Sequence, residues 1–84
     1  MRLTLTIIGY EMGRQPTMLE IVVNGVARQA PAGQTLLGLL RELELEPSRV
    51  AVEMDRRIVK RADWDALELE PGAKLEIVQF VGGG

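Results

Sequence analysis

Asn24-Gly25 constrains this chain more than any other pair of its residues. Both central positions of a type I′ turn need positive φ, which Asn tolerates and Gly adopts freely, and that turn suits the right-handed twist of two paired strands. Leu19, Ile21 and Val23 alternate with Glu20 and Val22 ahead of it, and residues 26–30 follow with Arg28 opposite in facing to Ala27 and Gln29. The pattern predicts a β-hairpin as the opening element. Pro31 removes a ladder donor and Gly33 allows a turn, so the second strand ends there.

Thr35 is placed to cap a helix, because its hydroxyl can accept from a free N–H of the first turn. Leu36, Leu39, Leu40 and Leu43 recur at helical spacing and make one leucine face. Gly38 inside this helix costs about 1 kcal/mol relative to Ala, which implies either close approach to a sheet or simple tolerance. Glu42, Glu44, Glu46 and Pro47 mark the exit. Val50, Val52 and Met54 then alternate with Ala51 and Glu53 as a third strand, residues 55–57 turn, and Ile58-Val59 give a short fourth strand. Residues 61–67, with Trp64, read as a turn of helix that plugs one end of the core. After Pro71-Gly72, residues 74–81 form a last strand with Leu75 and Ile77 on one face and Val78 and Phe80 on the other. Apolar residues on both faces predict a central strand.

The order ββαββ with the last strand central predicts an α+β domain, a mixed sheet wrapped round one helix in the ubiquitin-like β-grasp arrangement. Such a strand aims whatever follows it, and here Gly82-Gly83-Gly84 follow, read as a flexible C-terminal tail. Residues without Cβ pass in extended form through a channel closed to others, so the tail suits delivery of a carboxylate to an activating enzyme. Residues 18–84 make up the domain, with its tail at 82–84. In residues 1–17, Leu3, Leu5 and Ile7 alternate like a strand before Gly9, Gly13 and Pro16 break the pattern. Three readings stand for them: a start upstream of a working Met18, a disordered tail, or an extra edge strand.

Eighty-four residues allow one domain with a modest core, and 46% hydrophobic with 26% charged residues is the balance of a soluble globular chain. Residues 1–8 resemble a signal sequence only faintly, since Thr4 and Thr6 interrupt them and no small-residue cleavage site follows. A cytoplasmic protein without membrane association is expected. A net charge of −2 gives no attraction to a phosphate backbone, so nucleic acid is not an expected partner. The chain has no Cys and no His, which removes thiolate and imidazole chemistry and the usual ligands of zinc and iron-sulfur centres, and no metal site is expected. Asp63, Asp65, Glu68 and Glu70 lie on a polar stretch without a partner base. The expected role is that of a protein substrate, not of an enzyme.

Val23-Asn24-Gly25, Ala32-Gly33-Gln34-Thr35-Leu36 with Leu39-Leu40, Val50-Ala51-Val52-Glu53, Ile58-Val59 with Arg61 and Trp64, Pro71-Gly72 and the ending Glu76-Ile77-Val78 with Phe80-Val81-Gly82-Gly83-Gly84 follow one another in this order. Each motif is loose, but their order over residues 18–84 resembles the ThiS family, the sulfur carriers of thiamine thiazole synthesis. The resemblance implies that a ThiF-type adenylating enzyme, using ATP, activates Gly84, that a cysteine desulfurase system supplies sulfur, and that a Gly84 thiocarboxylate delivers it to a ThiG-type thiazole synthase. Gly83 and Gly82 would form the lead, and no cofactor is bound by the carrier itself. Asp55-Arg56 stands where many members have Asn-Gly, and residues 1–17 have no counterpart. The small subunit of molybdopterin synthase, the MoaD type, is the nearest relative; residues 61–64 and the Phe80-Val81 lead favour thiazole over it.

Phe80, apolar on the outer face of a terminal strand, is a candidate contact for a partner enzyme. Trp64 reads as a core or core-lid residue, and Arg56, Arg57, Lys60 and Arg61 as a solvated basic turn. Two other functions stay open beside the carrier: a ubiquitin-like modifier, which would form adducts with lysines, and a binding module, in which deleting the tail would change nothing.

Overall fold

The computed structural model describes residues 17–81. Five strands and one helix follow the expected order: β1 (Met18–Val23), β2 (Val26–Pro31), α1 (Leu36–Glu42), β3 (Val50–Met54), β4 (Arg57–Ile58) and β5 (Lys74–Gln79). The sheet order is β2-β1-β5-β3-β4, so the last strand is central, as the two apolar faces of residues 74–81 predict. It runs parallel to β1, with Val23 beside Leu75, and antiparallel to β3, with Val52 beside Ile77. The readings of residues 1–16 and of Gly82, Gly83 and Gly84 lie outside the described residues.

Asn24 (φ 50°) and Gly25 (φ 83°) make the expected turn, and β1 and β2 stay in register from Val23–Val26 to Met18–Pro31. Side chains of one parity then point to the helix. Ile21, Ala30, Val50, Val52, Leu75 and Ile77 from the sheet meet Leu36, Leu39 and Leu40 from α1, and Trp64, Leu69 and Ala73 close the core. Thr35 caps α1 as expected, its Oγ1 accepting from the Gly38 N–H at 3.0 Å. The remaining N–H groups of the first turn donate to the Leu67 and Trp64 carbonyls, which ties residues 64–67 to the helix. The indole of Trp64 is buried and donates to the Val59 carbonyl at 2.9 Å, so it is the core lid that the sequence predicts.

Four local features differ from expectation or refine it. The helix closes earlier than the Glu run suggests: the Glu44 N–H donates to the Arg41 carbonyl and the Leu45 N–H to the Leu40 carbonyl. That is a Schellman closure with Glu44, at φ 60°, where Gly usually stands. A 3₁₀ turn (Pro47–Arg49) then leads into β3. β4 is Arg57–Ile58 instead of Ile58-Val59, because Asp55 (φ 51°) and Arg56 (φ 72°) complete a two-residue turn on their own. A Cβ at Gly38 would meet its nearest atoms at Gln34 Cγ and Thr35 Oγ1, both 3.4 Å away, so this glycine answers to the helix's own cap and not to close approach of the sheet.

Candidate functional site

β5 ends next to the tail, and the site is the way that strand is held. Each of its edges meets a turn. At its start the Asp55 N–H donates to the Lys74 carbonyl at 2.8 Å, and Asp55 Oδ1 accepts from the Lys74 N–H at 3.1 Å. On the other edge the main-chain ladder with β1 reaches Asn24, whose N–H donates to the Leu75 carbonyl at 2.8 Å. The Asn24 carboxamide then takes over: Oδ1 accepts from the Ile77 N–H at 2.7 Å and Nδ2 donates to the Ile77 carbonyl at 3.1 Å. Beyond Gln79, the Phe80 N–H donates to the Arg49 carbonyl at 2.7 Å. Phe80 is thus anchored through its backbone to Arg49, the last residue of the 3₁₀ turn that leads into β3, while Gly82 stands only two residues further on.

The face of the sheet opposite α1 carries the exposed apolar residues. Phe80 is 53% exposed and Val78 57%, both on the side away from the core. Ala51 stands beside Val78 across the β3–β5 pairing, and Ile58 beside Glu53. Ala51, Ile58 and Val78 border one shallow depression together with Glu53 and Glu76. Those two carboxylates face each other across neighbouring strands, an arrangement that like charges disfavour. The surface therefore presents an apolar patch with an acidic margin, complementary to an apolar surface with a basic rim.

Phe80, singled out from sequence, lies on this face; Gly82, Gly83 and Gly84 lie outside the described residues. Ile58 and Ala51 were not singled out, although their alternation with Val59 and Val52 carried the signal. The sequence around Asn24 announces its turn chemistry alone, because a bond to a residue 53 positions away has no local signature. Arg61 of the basic turn lies over the Trp64 ring, 5.4 Å from its centroid, and so belongs to the lid. Among the described residues no three His, Cys, Asp or Glu side chains gather so as to hold a metal ion. No helix among them is long and apolar enough to cross a membrane.

Comparison with known proteins matches the ThiS family model to residues 21–84. The chain is 41% identical over 66 residues to a thiazole synthase of Magnetococcus marinus, and 39% identical over 66 residues to one of Paramagnetospirillum magneticum. Each match covers 79% of this chain but only 20% of the relative, so the chain spans about one fifth of the length of those two proteins. It is 30% identical over 66 residues to the sulfur carrier protein ThiS of Escherichia coli, covering 79% of this chain and 100% of that one. Among solved structures, the thiamine biosynthesis protein ThiS of Geobacter metallireducens superposes with a TM-score of 0.68 at 26% identity, over 79% of this chain and 100% of that one. The fold is the ubiquitin-like β-grasp of these neighbours, and the chain belongs to the ThiS family.

Proposed function

We propose that this protein is the sulfur carrier for thiazole formation in thiamine biosynthesis, and that it serves its partner enzymes as a substrate without being a catalyst. The observation that carries the reading is the family match running through to Gly84, just beyond a central strand anchored up to Phe80. A carboxylate oxygen of Gly84 attacks the α-phosphorus of ATP in a ThiF-type adenylating enzyme, pyrophosphate leaves, and an acyl-adenylate forms. A persulfide supplied by a cysteine desulfurase system displaces AMP to give an acyl disulfide. Reduction of its sulfur–sulfur bond by a thiol leaves the thiocarboxylate, which passes sulfur to thiazole synthase. Gly82 and Gly83 carry no Cβ and give the narrow lead that such a channel demands.

The recipient is supported by the two relatives named thiazole synthase, each of which contains a segment similar to this chain. The outer face around Val78 and Phe80 docks on the adenylating enzyme, its acidic margin selecting a basic rim. The proposed compartment is the cytoplasm.

The test is to co-express the chain with an adenylating enzyme and a sulfur source, treat it with a thiol-alkylating reagent and fragment the intact protein in the mass spectrometer. The chain has no Cys, so a label on Gly84 reports a thiocarboxylate and nothing else. A labelled Gly84 is expected. An unlabelled chain beside an enzyme that turns over another carrier overturns the reading.

A further inference from the structure

The main chain of β1 turns away at Asn24, but the strand pairing does not stop there. The Asn24 carboxamide presents to Ile77 one acceptor and one donor, the pair that a further strand residue would have offered. Few residues meet what this position asks. Its φ of 50° favours Gly, Asn and Asp over other residue types. Gly has no side chain to reach Ile77, an ionised Asp offers acceptors only, and Asn alone of the three supplies both. A type I′ turn by itself would accept Gly here, so the demand for the carboxamide comes from β5 and not from the hairpin.

We propose that Asn24 is a positioning residue for the Gly82–Gly84 tail, and the inference rests on the tail being the reacting group. With the carboxamide in place the strand is held on both edges here, Ile77 by Asn24 on one side and its neighbour Val78 by pairing with Ala51 of β3 on the other. Among the described residues Phe80 is then the last one anchored. Without it, the strand end from Ile77 onward keeps only its β3 partner and swings about that single edge. The Asn24 side chain bonds to Ile77, which faces the core and not the outer face, so its effect falls on how often the carboxylate is aimed into the enzyme and not on docking.

The experiment compares Asn24→Gly and Asn24→Asp with the unmodified chain in pyrophosphate release by a ThiF-type adenylating enzyme, alongside amide hydrogen exchange at Ile77. Gly preserves the turn and removes both bonds; Asp preserves the turn and one acceptor. Asn24→Gly is expected to lower kcat about tenfold, with the Kd for the enzyme unchanged and exchange at Ile77 faster while the bonded amides of Leu39 and Leu43 stay protected. Asn24→Asp falls between. Equal kcat in Asn24→Gly and the unmodified chain overturns the role of Asn24, as does a rise in Kd at constant kcat. If the unmodified chain releases no pyrophosphate, the tail reading itself falls, and the positioning role with it.

Discussion

Phe80→Ala separates a docking residue from a structural one. The side chain is 53% exposed, so folding buries about half of it. Full burial of such a side chain contributes about 1.5–3 kcal/mol, which puts the loss here near 1 kcal/mol. No cavity term is added, because Phe80 and Val78 are exposed and no layer of the described residues packs over that face to leave a void. In a domain of this size that loss lowers Tm by about 4–8 °C. As an anchor in an interface the same truncation costs about 2 kcal/mol or more, roughly a 30-fold rise in Kd. Urea unfolding followed by Trp64 fluorescence gives the first quantity at constant m-value, and titration calorimetry against the adenylating enzyme gives the second, at a temperature where both forms are folded. The reasoning is refuted if stability falls by about 3 kcal/mol while Kd moves less than about threefold, since Phe80 would then belong to the core.

Arg56→Gly is expected to stabilise the protein by about 0.5–1 kcal/mol, because Arg56 sits at φ 72° and relief of that strain exceeds the added freedom of the unfolded chain. A urea midpoint that rises at constant slope checks it; an unchanged or lower midpoint refutes it. Trp64→Phe removes the donor to the Val59 carbonyl and part of a buried ring, and is expected to cost about 2–3 kcal/mol. Calorimetric Tm measures this, and a loss below about 0.5 kcal/mol would mean that Trp64 does not close the core.

What was legible in the sequence is what local chemistry decides. Asn24-Gly25 between alternating runs, the leucine face behind Thr35 and the two apolar faces of residues 74–81 led directly to the hairpin, the capped helix and the central strand. The misreadings fall where a residue adopts a backbone conformation that its type disfavours. Glu44 and Arg56 both occupy positive φ where Gly would have announced the turn, so the end of α1 and the start of β4 were displaced. The candidate site divides in the same way. The outward facing of Phe80 follows from period-two alternation, whereas the bonds of Asn24 to Ile77 depend on two segments that only the folded topology brings side by side.

The bond from the Phe80 N–H to the Arg49 carbonyl also sets a ruler. Gly84 stands four residues beyond it, and a fully extended chain spans at most about 3.3–3.6 Å per residue. The last glycine therefore reaches no further than about 13–14 Å from Phe80 while that bond holds. An enzyme that reacts with Gly84 must bring its catalytic atoms within that distance of the sheet's rim. On the proposed function, an enzyme whose active site lies deeper than that below its docking surface reacts with Gly84 only after the Phe80 bond to Arg49 opens, whatever the chemistry of its surface.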